Sequence, residues 1–498
     1  ILNMSSLLHH VLQIQSSSVL VVGDFMLDEI VLGDAERLSP DAPVPVLEVR
    51  SVQSRAGGAG NVARCLVAMG AKVECLGVVG NDKEGELLKQ LLQSEGVGVD
   101  DLLASDDRST TVKRSIVGLA QHRHPQKMFR VDHESRKPLQ QQQSEYLIQS
   151  LNKHLLHVDL VCIEDYGKGV LCDATCKRVI EHCKDAGIEV LVDPAGIEDY
   201  SKYSGATAIT PNRTEAEKAT GIRLCDEDPI EGAIDLASQL CKQLQLHATV
   251  MTLDRDGAVL QEQGKQAIHI PTRARSVYDV TGAGDIVLAA IAVGRGGNMS
   301  WPECVEFANV AAGLEVEVFG ATPIPMAQIH KELLLMQTGC EGKIRTVDDL
   351  AIEIAAAKEI MQRVVLTNGC FDVIHAGHVS YLREAAKLGD VLIVGVNTDD
   401  QVKMQKGEGR PIYTLEERME ILAELQCVNF VVPFEEPTAS DLIQRVLPDL
   451  YVKGGDYSPE EINEYRLLQE LGVEVQVLSE RPGRSSTQVV AEMKETTK

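Results

Sequence analysis

The sequence has few basic residues relative to its acidic ones. Its 498 residues contain 48 lysines and arginines against 74 aspartates and glutamates, which gives a net charge of −26 at pH 7. A protein that binds nucleic acid or an anionic membrane surface non-specifically needs clustered cations to displace counterions. The charge therefore argues against nucleic-acid and membrane partners. If the ligands are anions, local basic groups and backbone amides must bind them.

Long apolar runs and a leader-like start are also lacking. The longest apolar run, near Ile286–Val293, is far shorter than the roughly 18 to 20 residues of a membrane span. No cationic segment precedes the apolar residues of Ile1–Ser18, so a secretory signal is not expected. The 12 cysteines are scattered, many inside apolar stretches, as is typical of buried thiols in a reducing compartment. These features predict a cytoplasmic protein.

One local cysteine cluster could suggest zinc. Cys172, Cys176, His182 and Cys183 lie close together in the sequence, but they lack the paired C-x-x-C spacing of zinc sites. Cys172 and Cys176 are one helical turn apart in a predicted helix. Burial is therefore favoured over metal binding.

Short β-branched runs alternate with longer helical patterns, which is typical of an α/β fold with a mostly parallel sheet. The runs Val44–Val49, Lys113–Val117 and Lys127–Val131 have hairpin-like spacing and predict a separate small sheet, such as a lid. The main strands predicted in the first part are Val19–Val22, Val73–Val79, Leu160–Ile163, Val190–Val192, Ala206–Ile209 and Thr249–Leu253.

The helical pattern breaks after Met336 at a glycine-containing segment, which predicts a domain boundary. We predict a first domain at 1–336, a linker with a connecting helix at 337–363, and a second domain at 364–498. The strand–loop–helix rhythm restarts in the last of these. Its predicted strands are Val364–Thr367, Val391–Val396, Phe430–Val432, Leu450–Val452 and Val475–Leu478.

The first chemical motif is Asp279-Val280-Thr281-Gly282-Ala283-Gly284-Asp285, directly before a predicted helix. Small residues let the backbone approach a phosphate, and the N–H groups of a helix start favour an anion there. A carboxylate at Asp285 could then accept a proton from an attacking hydroxyl. The alternative is an aspartate that only stabilises a glycine-rich helix start.

Three further motifs favour the catalytic interpretation. Arg55–Ala63 opens a predicted amphipathic helix and offers amides to a polar ligand. Asp24 and Asp28 follow the first strand, where carboxylates can hold sugar hydroxyls. The N-x-x-E spacing of Asn212 and Glu215 places an amide and a carboxylate on one helical face, suitable for Mg²⁺ waters and phosphate. Each alone could be a helix cap.

Together these motifs resemble the ribokinase (PfkB) family of sugar kinases over about residues 19–320. The resemblance implies that Asp285 is the catalytic base and that Gly282, Ala283 and Gly284 form an anion hole. There is no G-x-x-x-x-G-K-[ST] motif, so a P-loop kinase is not expected. The ATP-binding residues it implies are Asn212, Arg213, Thr214, Glu215, Thr252 and Gly257, with Glu215 reaching Mg²⁺ through water, and the sugar-binding residues are Asp24, Asp28, Gly57, Gly58 and Asn61.

Two positions depart from the family pattern. Asp193-Pro194 is followed by Ala195 where the family usually has a lysine, which removes one possible phosphate contact. Inside the N-x-x-E motif the usual Leu-Ser is Arg213-Thr214, which adds a cation that could meet a phosphate. Because neither change touches Asp285, kinase activity is expected to survive.

The second chemical motif is Thr367-Asn368-Gly369-Cys370-Phe371-Asp372-Val373-Ile374-His375-Ala376-Gly377-His378. A strand enters a turn, and two histidines three residues apart then share one face near a positive helix start, where they can bond a triphosphate. A metal pair and two surface histidines are the alternatives.

This motif resembles the cytidylyltransferase-like nucleotidyltransferases, over about residues 364–490. The resemblance implies a Rossmann-like domain in which His375 and His378 are the signature histidines. The residues it implies for nucleotide or phosphate binding are Thr367, Asn368, Gly369, Phe371, Asp372, Lys406, Lys453, Ser485, Ser486 and Thr487.

The two domains in this order resemble the family of bifunctional enzymes of ADP-heptose synthesis. That resemblance implies ATP-dependent phosphorylation of D-glycero-β-D-manno-heptose 7-phosphate at C1, and adenylyl transfer from ATP to heptose 1-phosphate. It further implies Mg²⁺, small-molecule partners only, and a homodimer. Two alternatives are another sugar or polyol kinase fused to a CTP-using transferase, and a non-catalytic sugar-phosphate sensor.

Overall fold

A computed structural model describes residues 4–119, 126–225, 229–272, 277–318, 320–338, 342–455 and 458–478. The chain divides into two compact units, Ile1–Ile329 and His330–Lys498. The division falls inside a helix, α10 (Met326–Thr338). The three-part division predicted at 336 and 363 stays a prediction.

The first unit alternates strands and helices in the predicted manner. Its described strands are β1 (Ser18–Gly23), β2 (Phe25–Leu38), β3 (Pro45–Gly58), β4 (Lys72–Gly80), β5 (Leu102–Ser105), β6 (Thr111–Leu119), β7 (Gln126–His133), β8 (Leu160–Glu164), β9 (Glu189–Asp193), β10 (Ala208–Ile209), β11 (Ala248–Thr252), β12 (Ala258–Glu262) and β13 (Ile268–Ile270). Its described helices before α10 are α1 (Met4–Leu12), α2 (Ala59–Ala68), α3 (Lys83–Ser94), α4 (Gln141–His154), α5 (Asp173–Ala186), α6 (Arg213–Thr220), α7 (Pro229–Gln243), α8 (Ala283–Gly296) and α9 (Trp301–Glu315).

The described residues build one large sheet in the order β13-β12-β11-β10-β9-β8-β1-β4-β5. The seven strands from β11 to β5 in this order are parallel, and β12 and β13 add an antiparallel edge. Residues 19–22 are fully buried, as expected for a parallel strand covered on both faces. Because the strand order reverses beside β1, the carboxyl edge there is a natural ligand crevice.

A second sheet, in the order β3-β2-β6-β7, confirms the predicted separate small sheet and is here called the lid. The structure adds β2, a 14-residue strand that the sequence patterns did not reveal, and it extends β3 to Gly58 where a helix was expected to have begun. The missed strand carries Asp28, Glu29 and Asp34 among its apolar residues, so its hydrophobic alternation is weak.

The second unit is built on a parallel sheet in the order β16-β15-β14-β17-β18 among the described residues. The order reverses between β14 and β17, again a place where α/β sheets bind ligands. Its strands are β14 (Val364–Gly369), β15 (Val391–Asn397), β16 (Phe430–Phe434), β17 (Leu450–Gly454) and β18 (Glu474–Leu478). Its helices after α10 are α11 (Val347–Glu359), α12 (Ala376–Ala386), α13 (Asp399–Lys406), α14 (Leu415–Ala423), α15 (Ser440–Val446) and α16 (Tyr465–Glu470).

Two sequence predictions concern features that the chain is expected to lack, a membrane-spanning helix and a cysteine zinc site. Within them, no helix is both long and apolar enough to cross a membrane. Cys176 and Cys183 are buried in the core on α5, while the His182 ring bonds Asn152 instead, with Nδ1 and Oδ1 2.8 Å apart. Where the structure describes the chain, the cysteine cluster forms no group with metal-ligand geometry.

Candidate active sites

Polar side chains stand at the carboxyl edge of the large sheet. Asp24 follows β1, Glu164 ends β8 and Asp193 ends β9, and the register pairs Gly23 with Glu164 and Glu164 with Asp193. Thr252 ends β11 farther along the same edge. The parallel strands therefore place these groups in one row, next to the start of α8.

The start of α8 has the geometry expected of an anion hole. Gly282 precedes the helix with φ +97°, and a Cβ there would lie 2.6 Å from Oε1 of Glu315. A larger residue would thus be both strained and obstructed. Ala283 and Gly284 form the first turn, whose N–H groups have no partners inside the helix and favour an anion.

Asp285 lies in the same turn and is only 5% exposed. Its Oδ2 accepts a hydrogen bond of 2.7 Å from Nδ2 of Asn61, and its Oδ1 accepts one of 3.1 Å from the Tyr166 hydroxyl. Burial raises the pKa of Asp285 to about 6, against the two hydrogen bonds, which lower it. The carboxylate is thus oriented and poised to take a proton near neutral pH.

The lid faces Asp285 across a cavity of about 320 Å³. In the lid sheet Asp28 pairs with Arg55 on one neighbouring strand and with Lys113 on the other, so the three side chains share a face. Nζ of Lys113 lies 4.2 Å from the centre of the Tyr166 ring. The cavity therefore places a cation–anion–cation row opposite the proposed base.

Most of the predicted sugar-binding residues come together here. Asp28 and Gly58 line the cavity together with the base candidate Asp285, and a Cβ on Gly57 would lie 2.4 Å from the Asp28 carboxylate. Asn61 donates a hydrogen bond to Asp285, which lines the cavity.

Asp24 does not line that cavity and bonds the backbone of a neighbouring loop instead. It is 2% exposed, and its carboxylate accepts hydrogen bonds from the backbone N–H groups of Tyr166, Lys168 and Val170 at 3.0, 2.9 and 3.3 Å. Burial raises the pKa of Asp24 to about 6. Its contacts shape the loop that carries Tyr166.

The predicted nucleotide motif forms a capping box at the start of α6. Oδ1 of Asn212 accepts from the Glu215 N–H at 3.0 Å, and Oε2 of Glu215 accepts from the Asn212 N–H at 2.9 Å. The helix-cap alternative is therefore realised. Asn212 also bridges to Thr252, and Gly257 follows with φ +90°, so the structure brings the predicted ATP residues of two loops side by side.

At both positions that depart from the family pattern, Ala195 and Arg213, the structure shows a contact with another residue of the chain. Nε of Arg213 lies 3.2 Å from Oε1 of Glu217, so this cation is paired within its own helix, while Thr214 is exposed. The Ala195 N–H donates to the Tyr203 hydroxyl at 2.9 Å. Arg213 is thus paired with a carboxylate of its own helix.

Sequence reasoning missed Lys113, Tyr166 and Glu164 as site residues. Glu164 carried a readable signal, since it is a carboxylate directly after a buried parallel strand. Lys113 carried a weaker one within a recognised lid strand. Nothing in the sequence pattern indicated that the Tyr166 hydroxyl meets Asp285.

In the second unit, the histidine pair lies at the start of α12. His375 caps the helix, and the rings of His375 and His378 stack with centroids 4.0 Å apart. The Phe371 ring meets His378 edge-on at 5.4 Å. Burial, His375 and Lys406 lower the pKa of His378 to about 4, so the ring is neutral at pH 7.

Two lysines on other elements lie close enough to Cys370, in the same motif as the histidines, to act on its charge. Lys406 ends α13 and acts on the charge of His378. Lys453 stands near the end of β17, where burial lowers its pKa. The β14–β17 switch point is thus flanked by two histidines and two lysines, a set suited to a polyphosphate.

The remaining predicted residues of this site form contacts within the signature loop, the segment 367–378 that contains both histidines. Thr367 Oγ1 and the Tyr381 hydroxyl lie 2.6 Å apart, and Oδ1 of Asn368 accepts from the Tyr451 hydroxyl at 2.6 Å. Gly369 ends β14 close to the Phe371 ring, which contacts any Cβ placed there at 3.1 Å.

Asp372 is fully buried, forms an ion pair with Arg410 and accepts from the Ile412 N–H at 2.6 Å. It therefore fixes the 410–412 segment. Ser485, Ser486 and Thr487 lie outside the described residues.

The fold defines an α/β transferase with one candidate phosphate site in each unit. Residues 16–327 match the model of the pfkB family carbohydrate kinases, and residues 366–492 match the cytidylyltransferase-like model. A bifunctional protein HldE from Pelobacter propionicus is 40% identical over 96% of both chains, and one from Helicobacter hepaticus is 41% identical over 96% of this chain and 97% of its own. This chain belongs to that HldE family of bifunctional proteins, with a pfkB-type kinase domain and a nucleotidyltransferase domain, which confirms the family predicted from the motifs.

Solved structures similar to the first part agree with its fold. Arabidopsis thaliana ribokinase complexed with ribose and ATP matches with a TM-score of 0.50 and 22% identity over 64% of this chain and 99% of its own. Escherichia coli phosphofructokinase-2, in its tetrameric inhibited form, matches with a TM-score of 0.53 and 18% identity over the same shares. At such identities the likeness concerns the fold alone.

Proposed function

We propose that this chain performs two steps of ADP-heptose synthesis. The first unit transfers the γ-phosphoryl group of ATP to the C1 hydroxyl of D-glycero-β-D-manno-heptose 7-phosphate. After a phosphatase removes the 7-phosphate, the second unit joins AMP from ATP to heptose 1-phosphate and releases pyrophosphate. The observation that carries the kinase assignment is the cavity that holds Asp285 opposite the cationic lid.

The first step needs a base and an anion site at one place. Asp285 takes the proton of the attacking C1 hydroxyl, and Asn61 and Tyr166 hold the carboxylate in position. The N–H groups of Ala283 and Gly284 receive the charge that develops on the transferred phosphoryl group. The bond between the γ-phosphorus and its bridging oxygen breaks, and ADP leaves with the electron pair of that bond.

The lid supports a substrate that already carries a phosphate. Arg55, Lys113, Lys127 and Arg130 all line the cavity. Lys127 is held near Asp279 and Thr281, at 3.2 and 3.3 Å. Lys113 is half-buried and rests on the Tyr166 ring, so it can meet an anion where less water competes. Asp28 between these cations suits sugar hydroxyls.

The second step is an in-line displacement at the α-phosphorus of ATP. The 1-phosphate oxygen of the sugar attacks, the bond to pyrophosphate breaks, and no covalent enzyme intermediate forms. His375, His378, Lys406 and Lys453 bind the triphosphate and stabilise the charge on the leaving pyrophosphate.

Mg²⁺ is the expected companion of ATP at both sites, where it neutralises phosphate charge. In the first unit the half-buried Glu215 carboxylate would hold it through water, beside Asn212. Burial raises the pKa of Glu215, and a nearby cation would lower that pKa again by favouring the carboxylate.

A homodimer is supported by an apolar row on the lid face opposite Asp28. The register aligns Val52, Val31, Ile116 and Phe129 across all four lid strands. Val52 and Phe129 are 55% and 57% exposed. Sedimentation of Phe129→Asp would then give monomers where the wild type gives dimers. A cytoplasmic location is supported by the mostly buried thiols.

Mass spectrometry of the products tests the whole assignment. Heptose 7-phosphate with MgATP should give the 1,7-bisphosphate alone, and adding the phosphatase should give ADP-heptose and pyrophosphate. Replacing ATP by CTP in the second step should release far less pyrophosphate. Absence of the bisphosphate, or equal turnover with CTP, would reject the corresponding half of the proposal.

A further inference from the structure

One short loop, residues 165–170 after β8, contacts both the lid and the candidate base. The hydroxyl of its Tyr166 donates a 3.1 Å hydrogen bond to Asp285, and Nζ of the lid residue Lys113 lies 4.2 Å from the centre of the Tyr166 ring. Two residues farther on, Lys168 makes a second contact with the lid side. Whatever fixes this loop therefore also fixes a hydrogen-bond partner of the base.

Lys168 forms an ion pair with Glu134, the first residue after the lid strand β7. The two side chains are only 11% and 20% exposed, so the pair is less screened by water than a surface pair. The backbone adds to the same junction, because the Leu139 N–H donates to the Gly169 carbonyl at 3.2 Å. The chain that leaves the lid is thus bound to the loop through a side chain and through the backbone.

Other segments hold the backbone of Lys168. Its N–H donates to the Asp24 carboxylate at 2.9 Å, and its carbonyl accepts from Nη2 of Arg108 at 2.5 Å. Asp24 lies between β1 and the lid strand β2, and Arg108 precedes the lid strand β6. Lys168 therefore meets three segments, one through its N–H, one through its carbonyl and one through its ammonium group.

A lysine near a cavity for a phosphorylated sugar could bind the substrate itself. Lys168 does not line the cavity that contains Asp285 and Lys113, it is 9% exposed, and its ammonium group is paired with Glu134. An effect of Lys168 on the reaction would therefore pass through the loop and Tyr166.

We propose that Lys168 is a positioning residue of the kinase site, whose ion pair with Glu134 ties the loop 165–170 to the lid and so holds the Tyr166 hydroxyl against Asp285. The inference rests on the proposed role of Asp285 as the base. The Tyr166 hydrogen bond lowers the pKa of Asp285, which burial raises. Lys168 thus influences the proton affinity of a carboxylate through a neighbour in its own loop.

The test compares the acidic limb of the kinase pH profile in Tyr166→Phe, Lys168→Met and the double variant. Because kcat/KM rises as Asp285 loses its proton, loss of the Tyr166 hydrogen bond should move the limb up by about half to one pH unit. Lys168→Met should move it in the same direction, and the double variant should move it no farther than Tyr166→Phe does. Lys168→Arg keeps the positive charge and should restore the limb.

Arg136→Met is the matched control. Arg136 pairs with the same Glu134 carboxylate at 2.8 Å, but its side chain is 72% exposed and it lies outside the loop. Its loss should leave the limb in place. A limb that moves in Tyr166→Phe but not in Lys168→Met, or that moves in neither variant, would overturn the inference.

Hydrogen–deuterium exchange of the full chain without substrates provides a readout that does not depend on activity. The N–H groups of the loop should exchange about tenfold faster in Lys168→Met than in wild type or Arg136→Met, because the loop opens more easily without the ion pair. Equal exchange in all three proteins would also overturn the inference. The expected exchange difference in a protein that does not phosphorylate heptose 7-phosphate would count against the proposed function and leave the positioning of the loop supported.

Discussion

The Asn61 side-chain amide donates a 2.7 Å hydrogen bond to Oδ2 of Asp285, from a residue 224 positions away in the chain. Asn61 is in the first turn of α2 and Asp285 is in the first turn of α8, so two helix starts meet at the proposed base. The bond favours the charged carboxylate and lowers its pKa, whereas burial raises it to about 6. The proton affinity of the base is therefore a balance that one substitution can move.

Asn61→Ala should shift the pH profile of the kinase. Asp285 must be deprotonated to accept the sugar proton, so kcat/KM rises as pH increases through its pKa. Loss of the amide removes a stabiliser of the charged form, and the acidic limb should move up by about one pH unit. Steady-state assays from pH 5 to 9 measure the shift. Asn152→Ala, on the surface, should leave the limb in place, and an unmoved limb in Asn61→Ala would contradict the role of the amide.

The two activities should be lost separately. Asp285→Asn should lower phosphorylation by about 100- to 10,000-fold, the usual contribution of a general base, while ADP-sugar formation from heptose 1-phosphate continues. His378→Ala should do the reverse, since it removes a triphosphate contact in the other unit. Coupled assays for ADP and for pyrophosphate measure each step. Full kinase turnover in Asp285→Asn would show that the base is another residue.

The main strands could be predicted from the sequence because parallel strands buried on both faces are continuous apolar runs. Val19–Val22 and Val391–Val396 are of this kind, and the structure contains both within β1 and β15. β2 could not be predicted in the same way, because its residues alternate between a charged cavity face and the opposite lid face. The pattern of such a strand depends on a ligand site that the local sequence does not reveal.

Some residues of the candidate sites could likewise be predicted from local sequence, and others could not. Asp285, Asn61 and His378 could be predicted because each stands in a local motif with glycines or a fixed spacing. The contact between Tyr166 and Asp285 joins two segments far apart in the chain, and the approach of Lys113 joins a lid strand to the Tyr166 ring. Asp24 was assigned to the sugar from its position after β1, but its carboxylate is occupied by three backbone N–H groups. The contacts of Tyr166, Lys113 and Asp24 depend on packing between distant parts of the chain, which local sequence patterns do not show.

Lys113→Met should weaken binding of the phosphorylated sugar. The variant keeps the length of the side chain and its contact with the Tyr166 ring but loses the charge that faces the cavity. We expect the KM for heptose 7-phosphate to rise about 10- to 100-fold, in line with loss of a charged hydrogen bond, and the KM for ATP to stay constant. Lys153→Met, exposed on α4, is the control. A parallel rise in both KM values would contradict a sugar-side role for Lys113.

His378 should change its charge when ATP binds. Burial and the nearby cation Lys406 lower its pKa to about 4 in the ligand-free protein, so it is neutral at pH 7. A triphosphate beside the ring favours the imidazolium form, and the pKa should rise toward or above neutrality. NMR titration of the ring with and without a non-hydrolysable ATP analogue measures this, and His378→Ala identifies the signal. An unchanged pKa would mean that the triphosphate does not contact this ring.

Arg418 should be the residue on which the second unit depends most for the shape of its signature loop. It is fully buried; its Nη1 donates to the Cys370 and Asn397 carbonyls at 2.6 and 2.8 Å, and its Nη2 donates to Oδ1 of Asp399 at 2.6 Å. Arg418→Met would leave these carbonyls without their donor inside the protein and cost ~2–4 kcal/mol.

Urea unfolding followed by circular dichroism measures that cost. The transition of the second unit should move to lower urea while that of the first unit stays, and kinase activity should persist as adenylyl transfer falls. Arg383→Met, exposed on α12, tests for a general effect of removing an arginine and should change neither transition. A stable Arg418→Met protein with full adenylyl transfer would mean that the turn after β14 keeps its shape without this guanidinium.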